Sequence, residues 1–352
     1  MVDNLPPKPE TKRLFLGIDL GTATTAVMTS RGHKQVCRSV VGHPVDIIAR
    51  NLVGKPFVAG NEALEAGGSL ALTYPMREGM LDYENPAAVT AAAELLTHVI
   101  SRAKPKPNEE LCGIIAISAR PEPAAIKALQ EVVRDELHHA ALVSAPFLVA
   151  FGENNKKLLE ASIVIDIGAG AVNLCGVKGG VPGVDDQISF AGGGDNIDTL
   201  LRQLIEQRYP GVQLTGDLVR NIKEQHAFVG EADGEIKVEL RSGGIPAMYD
   251  VTREIRQACE SIIPELMDAL KELVAGFDLD CLEAALRHIV LSGGGSLIRG
   301  LDEMLIREMR EYGKVRVSRV NDPFFATCKG ALLLADFVPV EEWGRIGLTM
   351  AE

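Results

Sequence analysis

The sequence predicts an α/β protein of two similar domains with a ligand cleft between them, and three observations support this prediction. The chain has 352 residues, more than one ordinary hydrophobic core accommodates. Short apolar runs alternate with longer helical patterns from Arg13 onward, as in α/β proteins. An apolar strand that ends in an Asp-x-Gly turn occurs twice, at Asp19 and at Asp166.

The alternating pattern predicts seven strands and at least six helices. The strands are Leu14–Asp19, Ala26–Ser30, Gly113–Ser118, Ala141–Val143, Ser162–Asp166, Leu174–Val177 and His288–Ser292. The helices are Pro86–Ala103, Pro123–Glu136, Asn196–Arg208, Leu218–Phe228, Thr252–Phe277 and Ile298–Tyr312. Short polar and apolar pieces between Gly32 and Gly79, and between Gly230 and Asp250, indicate two small β-rich insertions.

Composition excludes several classes of protein. The 36 basic and 48 acidic residues give a net charge of -12, which disfavours nucleic acid and anionic membranes as partners. No apolar run approaches the roughly 18 residues of a membrane helix, and the first 13 residues lack the apolar core of a signal peptide. The six cysteines form no C-x-x-C pair, which argues against zinc and disulfides and suits a reducing cytoplasm. We therefore expect a cytoplasmic protein without direct membrane insertion.

The two Asp-x-Gly turns belong to an internal repeat. Placing Asp19 over Asp166 aligns LGIDLGTATTAV with IVIDIGAGAVNL, two copies about 147 residues apart. One such turn alone is typical of an ordinary β-hairpin. Two copies predict two lobes that each present a turn to a shared gap.

The chemistry of these turns suits a nucleotide. Small residues let backbone N–H groups approach phosphate oxygens, and Thr22, Thr24 and Thr25 add hydroxyl groups. The carboxylates of Asp19 and Asp166 are hard oxygen ligands suited to Mg²⁺ between phosphates.

A third glycine-rich segment follows the strand that ends at Ser292. Gly293, Gly294, Gly295 and then Ser296 allow a flat group such as a nucleoside to pack against backbone. No G-x-x-x-x-G-K-[ST] motif occurs, which excludes a P-loop. A dinucleotide fingerprint starting at Gly168 is disfavoured, because Asn173 replaces its third glycine and a strand follows instead of a helix.

These elements together resemble the actin superfamily, and most of all the bacterial actins of the MamK family, which form filaments that organise magnetosomes. The resemblance covers nearly the whole chain and includes the segments RLFLGIDLGTATTAVMTSRG, SVVGHPVDII, YPMREGML, APFLVAFG, NIKEQHAFVG, IVLSGGGSLIRGL and DPFFATCKGALLLA. It implies an actin-like, ribonuclease H-like, duplicated two-domain ATPase fold with a nucleotide cleft between the lobes. The implied organisation begins with a disordered arm at 1–12. Domain I follows at 13–158, contains a small subdomain at about 32–80 and is completed by the segment at about 325–352. Domain II lies at 159–324 and contains a small subdomain at about 196–262.

The resemblance also implies that ATP or ADP binds with Mg²⁺ in the cleft. By matching position, Asp19 and Asp166 would serve the metal, and Gly194 and Asp195 would lie near the ribose. Lys223 and Glu224 would lie near the adenosine, although the residues alone suggest a solvated helix face. The remaining implied nucleotide contacts are Gly21, Thr22, Ala23, Thr24, Gly168, Ala169, Gly170, Gly293, Gly294, Gly295 and Ser296.

Two departures from the family pattern concern hydrolysis. Ala145 occupies the position where related bacterial actins carry a Glu that orients the attacking water, and Ala171-Val172-Asn173 replaces the common Thr-Thr-Asp. Water positioning is worth orders of magnitude in phosphoryl-transfer rate. We therefore expect intact binding with slow hydrolysis, and no residue is assigned as catalytic. Taken alone, Ala145 also fits a small core residue before a proline.

The resulting hypothesis is a filament protein that polymerises with itself, copolymerises with a related actin and meets magnetosome adaptor proteins. A small-molecule kinase of the same superfamily is one alternative, although the sequence offers no acidic base besides the two aspartates. A plasmid-segregating or cell-shape actin is another.

Overall fold

The protein is described here from a computed structural model, which covers residues 12–349. The strands are β1 (Lys12–Leu20), β2 (Thr24–Thr29), β3 (Lys34–Arg38), β4 (Val41–Pro44), β5 (Val58–Ala59), β6 (Leu70–Thr73), β7 (Met76–Arg77), β8 (Met80–Leu81), β9 (Glu109–Ile117), β10 (His139–Ser144), β11 (Ser162–Ile167), β12 (Ala171–Val177), β13 (Gln187–Ala191), β14 (Val212–Gln213), β15 (Lys237–Ser242), β16 (Ile245–Asp250), β17 (Ile289–Ser292), β18 (Val317–Arg319) and β19 (Leu348–Thr349). The α-helices are α1 (Ile47–Val53), α2 (Asn61–Glu65), α3 (Pro86–Arg102), α4 (Pro123–Arg134), α5 (Ala145–Gly152), α6 (Lys156–Glu160), α7 (Gly194–Arg208), α8 (Gly216–His226), α9 (Thr252–Glu260), α10 (Ile263–Ala275), α11 (Leu279–Leu286), α12 (Leu301–Glu308) and α13 (Ala326–Phe337).

Two large sheets repeat the same strand arrangement. The first has the order β19-β10-β9-β1-β2-β3 and the second has the order β13-β12-β11-β17-β18. In each, a hairpin (β1–β2 or β11–β12) is antiparallel, and its first strand pairs in parallel with a later strand, β9 or β17. The predicted duplication is therefore present in the backbone. We call the parts built on these sheets the first and second lobes.

The two aspartates occupy equivalent places in this repeat. Asp19 lies opposite Ala26 in its hairpin and beside Ala116 in the parallel strand. Asp166 lies opposite Asn173 and beside Ser292. Because the strands run parallel at these positions, both carboxylates emerge at the carboxyl edge of a sheet, where α/β proteins place their ligands.

Three of the four hydrophobic clusters among the described residues stabilise the lobes. One lies in the first lobe and includes Leu16, Leu95 and Ile115, and another lies in the second lobe and includes Ile165 and Leu270. The third packs α5 and α13 with strands from both sheets. This helix pair therefore connects the lobes.

Glycine makes the α5–α13 contact possible. A Cβ on Gly330 would overlap the carbonyl oxygen of Leu148, and one on Gly152 would lie 2.8 Å from the carbonyl oxygen of Ala326. The two helix backbones thus meet directly, without side chains between them.

Both predicted β-rich insertions form small sheets. In the first lobe the strands β5, β4 and β6 form a sheet beside the short helices α1 and α2. In the second lobe β14, β15 and β16 form another. The first large sheet is built from strands before residue 158 and after residue 324, and the second from strands between them. The domain boundaries at 158 and 324 stay a prediction. The predicted disordered arm lies outside the described residues, except for Lys12.

The seven predicted strands are confirmed with shifts of a few residues, but two helices are wrong in extent. The predicted helix Thr252–Phe277 is two helices, α9 and α10, because the chain turns at Ser261 and Pro264 starts the second one. The predicted helix Ile298–Tyr312 is α only over Leu301–Glu308, after Gly300 in a left-handed conformation. Among residues 12–349, no helix is both long enough and apolar enough to cross a membrane.

Candidate nucleotide site

A cleft of about 370 Å³ lies between the lobes where the two Asp-x-Gly turns face each other. Its walls include both turns, the end of α8 and the glycines after β17. Nearly all of the residues predicted for the site line it: Asp19, Gly21, Thr22, Ala23, Thr24, Ala145, Asp166, Gly168, Ala169, Gly170, Asn173, Gly194, Lys223, Glu224, Gly293, Gly294 and Gly295.

Two predicted residues do not line the cleft. Ser296 is fully buried, and its hydroxyl donates a hydrogen bond to the carbonyl oxygen of Gly293 at 2.7 Å. Asp195 lies in the first turn of α7, and its backbone N–H donates to the carbonyl oxygen of Ala169 at 2.8 Å. Both residues shape the loops that line the cleft, and their contact with a nucleotide stays a prediction.

The floor of the cleft holds the two aspartates. Burial raises the pKa of Asp19 above the usual carboxyl range, the charge of Asp166 adds to the rise, and a hydrogen bond with Thr327 opposes it. Burial likewise raises the pKa of Asp166. Burial destabilises the ionised form of both carboxylates, and a cation bound between them would stabilise that form.

Mg²⁺ fits this donor set. Hard carboxylate oxygens are its preferred protein ligands, and it usually takes only one or two of them together with phosphate oxygens and water. The fully buried hydroxyl of Ser292 has no hydrogen-bond partner among the described residues, and it lies beside Asp166 in the sheet register. No cluster of three or more His, Cys, Asp or Glu side chains that could hold a metal occurs in residues 12–349. A metal here would therefore depend on the nucleotide for further ligands.

The two turns form a close backbone cradle. Thr22 Oγ1 accepts a hydrogen bond from the backbone N–H of Gly79 at 3.0 Å. A Cβ on Gly170 would lie 2.7 Å from that same nitrogen and would overlap Thr22 Oγ1. The lobes therefore touch at this point, and only glycine fits at position 170.

The glycines after β17 leave one face of the backbone open. A Cβ on Gly293 would lie 2.7 Å from the carbonyl carbon of Ile167, so this residue packs tightly against the second turn. By contrast, a Cβ on Gly294 would meet no atom within 4 Å. A flat ring can therefore approach the backbone at Gly294, as the sequence predicts for a nucleoside.

Lys223 and Glu224 reach the cleft from α8. The ammonium group of Lys223 lies 2.8 Å from the carbonyl oxygen of Gly194 and 2.9 Å from Asp198 Oδ2. These contacts fix α8 to the first turn of α7. The interpretation of this pair as a solvated helix face is therefore wrong for Lys223, whose side chain is only 13% exposed.

The end of the cleft beside the two Asp-x-Gly turns holds few free polar side chains. Ala145 is buried and presents only a methyl group. Asn173 Oδ1 already accepts hydrogen bonds from the backbone N–H of Ala119 at 2.9 Å and from Ser189 Oγ at 2.8 Å. The hydroxyl of Ser118 donates to the carbonyl oxygen of Gly79 at 2.8 Å. None of these groups is placed as a free base beside the two turns.

Sequence reasoning missed several residues that line or support the cleft. Gly79 and Ser118 are hydrogen-bonded to each other within the first lobe, Thr327 lies beside Asp19, and Arg38 enters from β3. The positive φ of Gly79, at 78°, is consistent with the turn signal that a glycine between Glu78 and Met80 gives. Nothing local marks Arg38 or Thr327.

The comparison with known proteins decides the family. A family model described as MreB/Mbl protein matches residues 13–339. The chain belongs to the MreB/Mbl family of actin-like proteins. A curated relative, the actin-like protein MamK of Paramagnetospirillum magneticum, is 39% identical over 335 residues, which are 95% of this chain and 96% of that protein.

Solved MamK structures confirm the actin-like two-domain fold. A MamK double helical filament matches with a TM-score of 0.89 at 39% identity, covering 93% of this chain and 100% of that one. A non-polymerising MamK variant bound to AMPPNP matches with a TM-score of 0.73 at the same identity, covering 93% and 99%. The predicted resemblance to the MamK family is thus confirmed.

Proposed function

We propose that this actin-like protein binds ATP or ADP with Mg²⁺ in the cleft and polymerises into a cytoskeletal filament. The observation that carries the proposal is the pair of Asp-x-Gly turns, which stand at equivalent places in two repeated sheets and line one cleft. Asp19 and Asp166 would hold the metal ion, which would neutralise phosphate charge when bound. The backbone around Gly21 and Gly170 would cradle the phosphates, and Gly294 would face the base.

Polymerisation is supported by the likeness to the MamK filament subunit. A head-to-tail contact that does not close into a ring gives a filament by symmetry alone. We further propose that the filament is cytoplasmic and organises magnetosomes through adaptor proteins, as part of a homopolymer or of a copolymer with a related actin. The likeness to MamK over 95% of the chain supports this cellular role.

We also propose that hydrolysis is slow. The methyl group of Ala145 cannot orient a water molecule, and Asn173 Oδ1 is already engaged by two donors. Binding and cleavage are separable in phosphoryl transfer, because positioning the attacking water contributes mainly to the rate. The filament would then persist after assembly.

Electron microscopy and sedimentation with ATP, ADP and AMPPNP, together with phosphate release, test these proposals. Filaments are expected with ATP and AMPPNP alike. Ala145→Glu should raise the rate of phosphate release by about 100-fold or more, whereas the apolar control Ala145→Val, which adds no group that could orient water, should not. Equal release by the unaltered protein and Ala145→Glu would refute slow hydrolysis.

The same assays address the remaining parts of the proposal. Absence of sedimentation with every nucleotide, combined with phosphorylation of a small molecule, would favour the kinase alternative. Copolymerisation predicts that MamK filaments carry this chain into the pellet at a concentration where it does not sediment alone.

A further inference from the structure

The cleft is lined by two cationic side chains, and only one of them is already paired. Lys223 is held by Gly194 and Asp198, as described above. Arg38 also lines the cleft, yet within residues 12–349 its guanidinium group makes no hydrogen bond and no ion pair. Its backbone N–H, in contrast, donates to Asn61 Oδ1 at 3.0 Å, which fixes the end of β3.

Arg38 enters the cleft on the side of the phosphate turns. It is the last residue of β3 and lies directly opposite Thr24 of β2 in the antiparallel register. Thr24 follows the first Asp-x-Gly turn in the first lobe, whereas the glycines proposed to face the base belong to the second lobe. The register thus places the backbone of Arg38 beside the first turn, whereas the charged side chains that act on its guanidinium group, Arg220, Glu224 and Asp217, belong to α8 across the cleft.

The surroundings of Arg38 disfavour a lone positive charge. Burial lowers the pKa of its guanidinium, and the nearby charge of Arg220 lowers it further, while Glu224 and Asp217 act in the opposite direction. The group nevertheless stays charged, because arginine does not lose its proton in proteins. A partly dehydrated cation without a contact is costly, and an anion that entered the cleft would relieve that cost.

We propose that Arg38 is a phosphate-binding residue of this site, which donates guanidinium N–H groups to phosphate oxygens of the bound nucleotide. The inference rests on the proposed nucleotide binding. The turn from Gly21 to Thr24 contains no cation of its own, so Arg38 supplies the positive side chain that a polyphosphate requires beyond its metal ion. Arginine suits this task because its planar fork matches phosphate geometry.

Affinities of MgATP, MgADP and adenosine for the full chain test this assignment. The variants are Arg38→Met, Arg38→Lys and the control Arg310→Met, which alters an exposed arginine outside the cleft. Arg38→Met should weaken MgATP and MgADP binding by about 10- to 100-fold and change adenosine binding by less than about twofold. Arg38→Lys should recover part of the loss, and Arg310→Met should behave like the unaltered protein.

Thermal unfolding separates a binding role from a structural one. Because Arg38 carries an uncompensated charge, Arg38→Met without nucleotide should melt at the same temperature as the unaltered protein or higher, while its shift on adding MgATP should shrink. A lower melting temperature together with an equal loss for adenosine would overturn the proposal in favour of a structural role.

Two further outcomes would also overturn it. Unchanged MgATP affinity in Arg38→Met would refute only the role assigned to Arg38 and not the proposed function, since the protein would still bind the nucleotide. If Glu224→Gln and Arg38→Met each weaken binding equally and the double variant weakens it no further, then Arg38 acts by pairing with Glu224 across the cleft. Failure of the unaltered protein to bind any nucleotide would instead refute the proposed function itself.

Discussion

Asn173 in the second lobe accepts a hydrogen bond from the backbone N–H of Ala119 in the first lobe, at 2.9 Å. Its Oδ1 also accepts from Ser189 Oγ at 2.8 Å, and the pair with Ala119 is buried. The position that the family resemblance associates with hydrolysis therefore joins the two lobes at the cleft.

Replacing this side chain should loosen the joined lobes. Asn173→Ala removes the acceptor for two buried donors, so we expect the free energy of unfolding to fall by about 1 to 3 kcal/mol. Urea unfolding measures the effect, and Asn221→Ala, an exposed change on α8, serves as a control with less than about 0.5 kcal/mol. Equal stability of Asn173→Ala and the control would contradict this role.

The ion pair between Arg208 and Glu254 is expected to stabilise the second lobe. Arg208 Nη1 lies 3.0 and 2.9 Å from the two carboxylate oxygens of Glu254, whose side chain is only 5% exposed. Arg208→Met leaves that buried carboxylate without its partner. Since Arg208 itself is partly exposed, we expect a loss of about 1 to 3 kcal/mol in urea unfolding.

A surface pair provides the comparison for Arg208. Glu283 of α11 and Arg287, which directly follows this helix, form an exposed i, i+4 ion pair. Arg287→Met should cost less than about 0.5 kcal/mol. Losses of similar size in the two variants would show that the burial of Glu254 does not matter.

Gly330 should tolerate no side chain. Gly330→Ala places a methyl group against the carbonyl oxygen of Leu148, so α13 and α5 must separate, at a cost of about 1 to 3 kcal/mol. Thermal unfolding checks this, with Gly180→Ala as the control, because a Cβ at Gly180 meets nothing within 4 Å. A Gly330→Ala protein as stable as the control would show that the helices separate at little cost.

Assembly should strengthen with salt. The net charge of -12 makes subunits repel each other, and the screening length falls from about 30 Å at 0.01 M to about 8 Å at 0.15 M ionic strength. The concentration of protein that remains unsedimented should therefore fall as NaCl increases, and added sucrose of equal osmolarity should not reproduce the effect. A steady rise with NaCl would mean that attractive ion pairs dominate the filament contact.

Features encoded in short stretches of sequence were predictable. The hairpins around Asp19 and Asp166 are predicted by their apolar strands and glycine-containing turns. Because the hairpin occurs twice, a cleft shared by two lobes is the simplest arrangement. The helix α5 was missed because APFLVAFG is almost wholly buried and shows no polar face, so helical periodicity is absent. The broken helix from Thr252 was misjudged for the opposite reason, since its apolar spacing continues across the turn.

Features that depend on distant partners were not predictable. Thr327 matters because α13 returns to the cleft after more than 300 residues, and Arg38 matters because β3 pairs with β2. A single arginine in a strand carries no local signal of such a role. The same holds for Asn173, whose partner Ala119 contributes only its backbone.

The direct contact of α5 with α13 lets the arrangement of the lobes be independent of the residue that is associated with nucleotide cleavage. Ala145 is the first residue of α5, so the position associated with nucleotide cleavage stands at one end of the very helix that joins the lobes. The closest approach in that joint is made by main-chain atoms at Gly330 and Leu148, and Ala145 contributes only its methyl group to the surrounding cluster. Substitutions at this residue could therefore change the rate of nucleotide hydrolysis during evolution. The subunit would keep the shape that its neighbours in a polymer must fit.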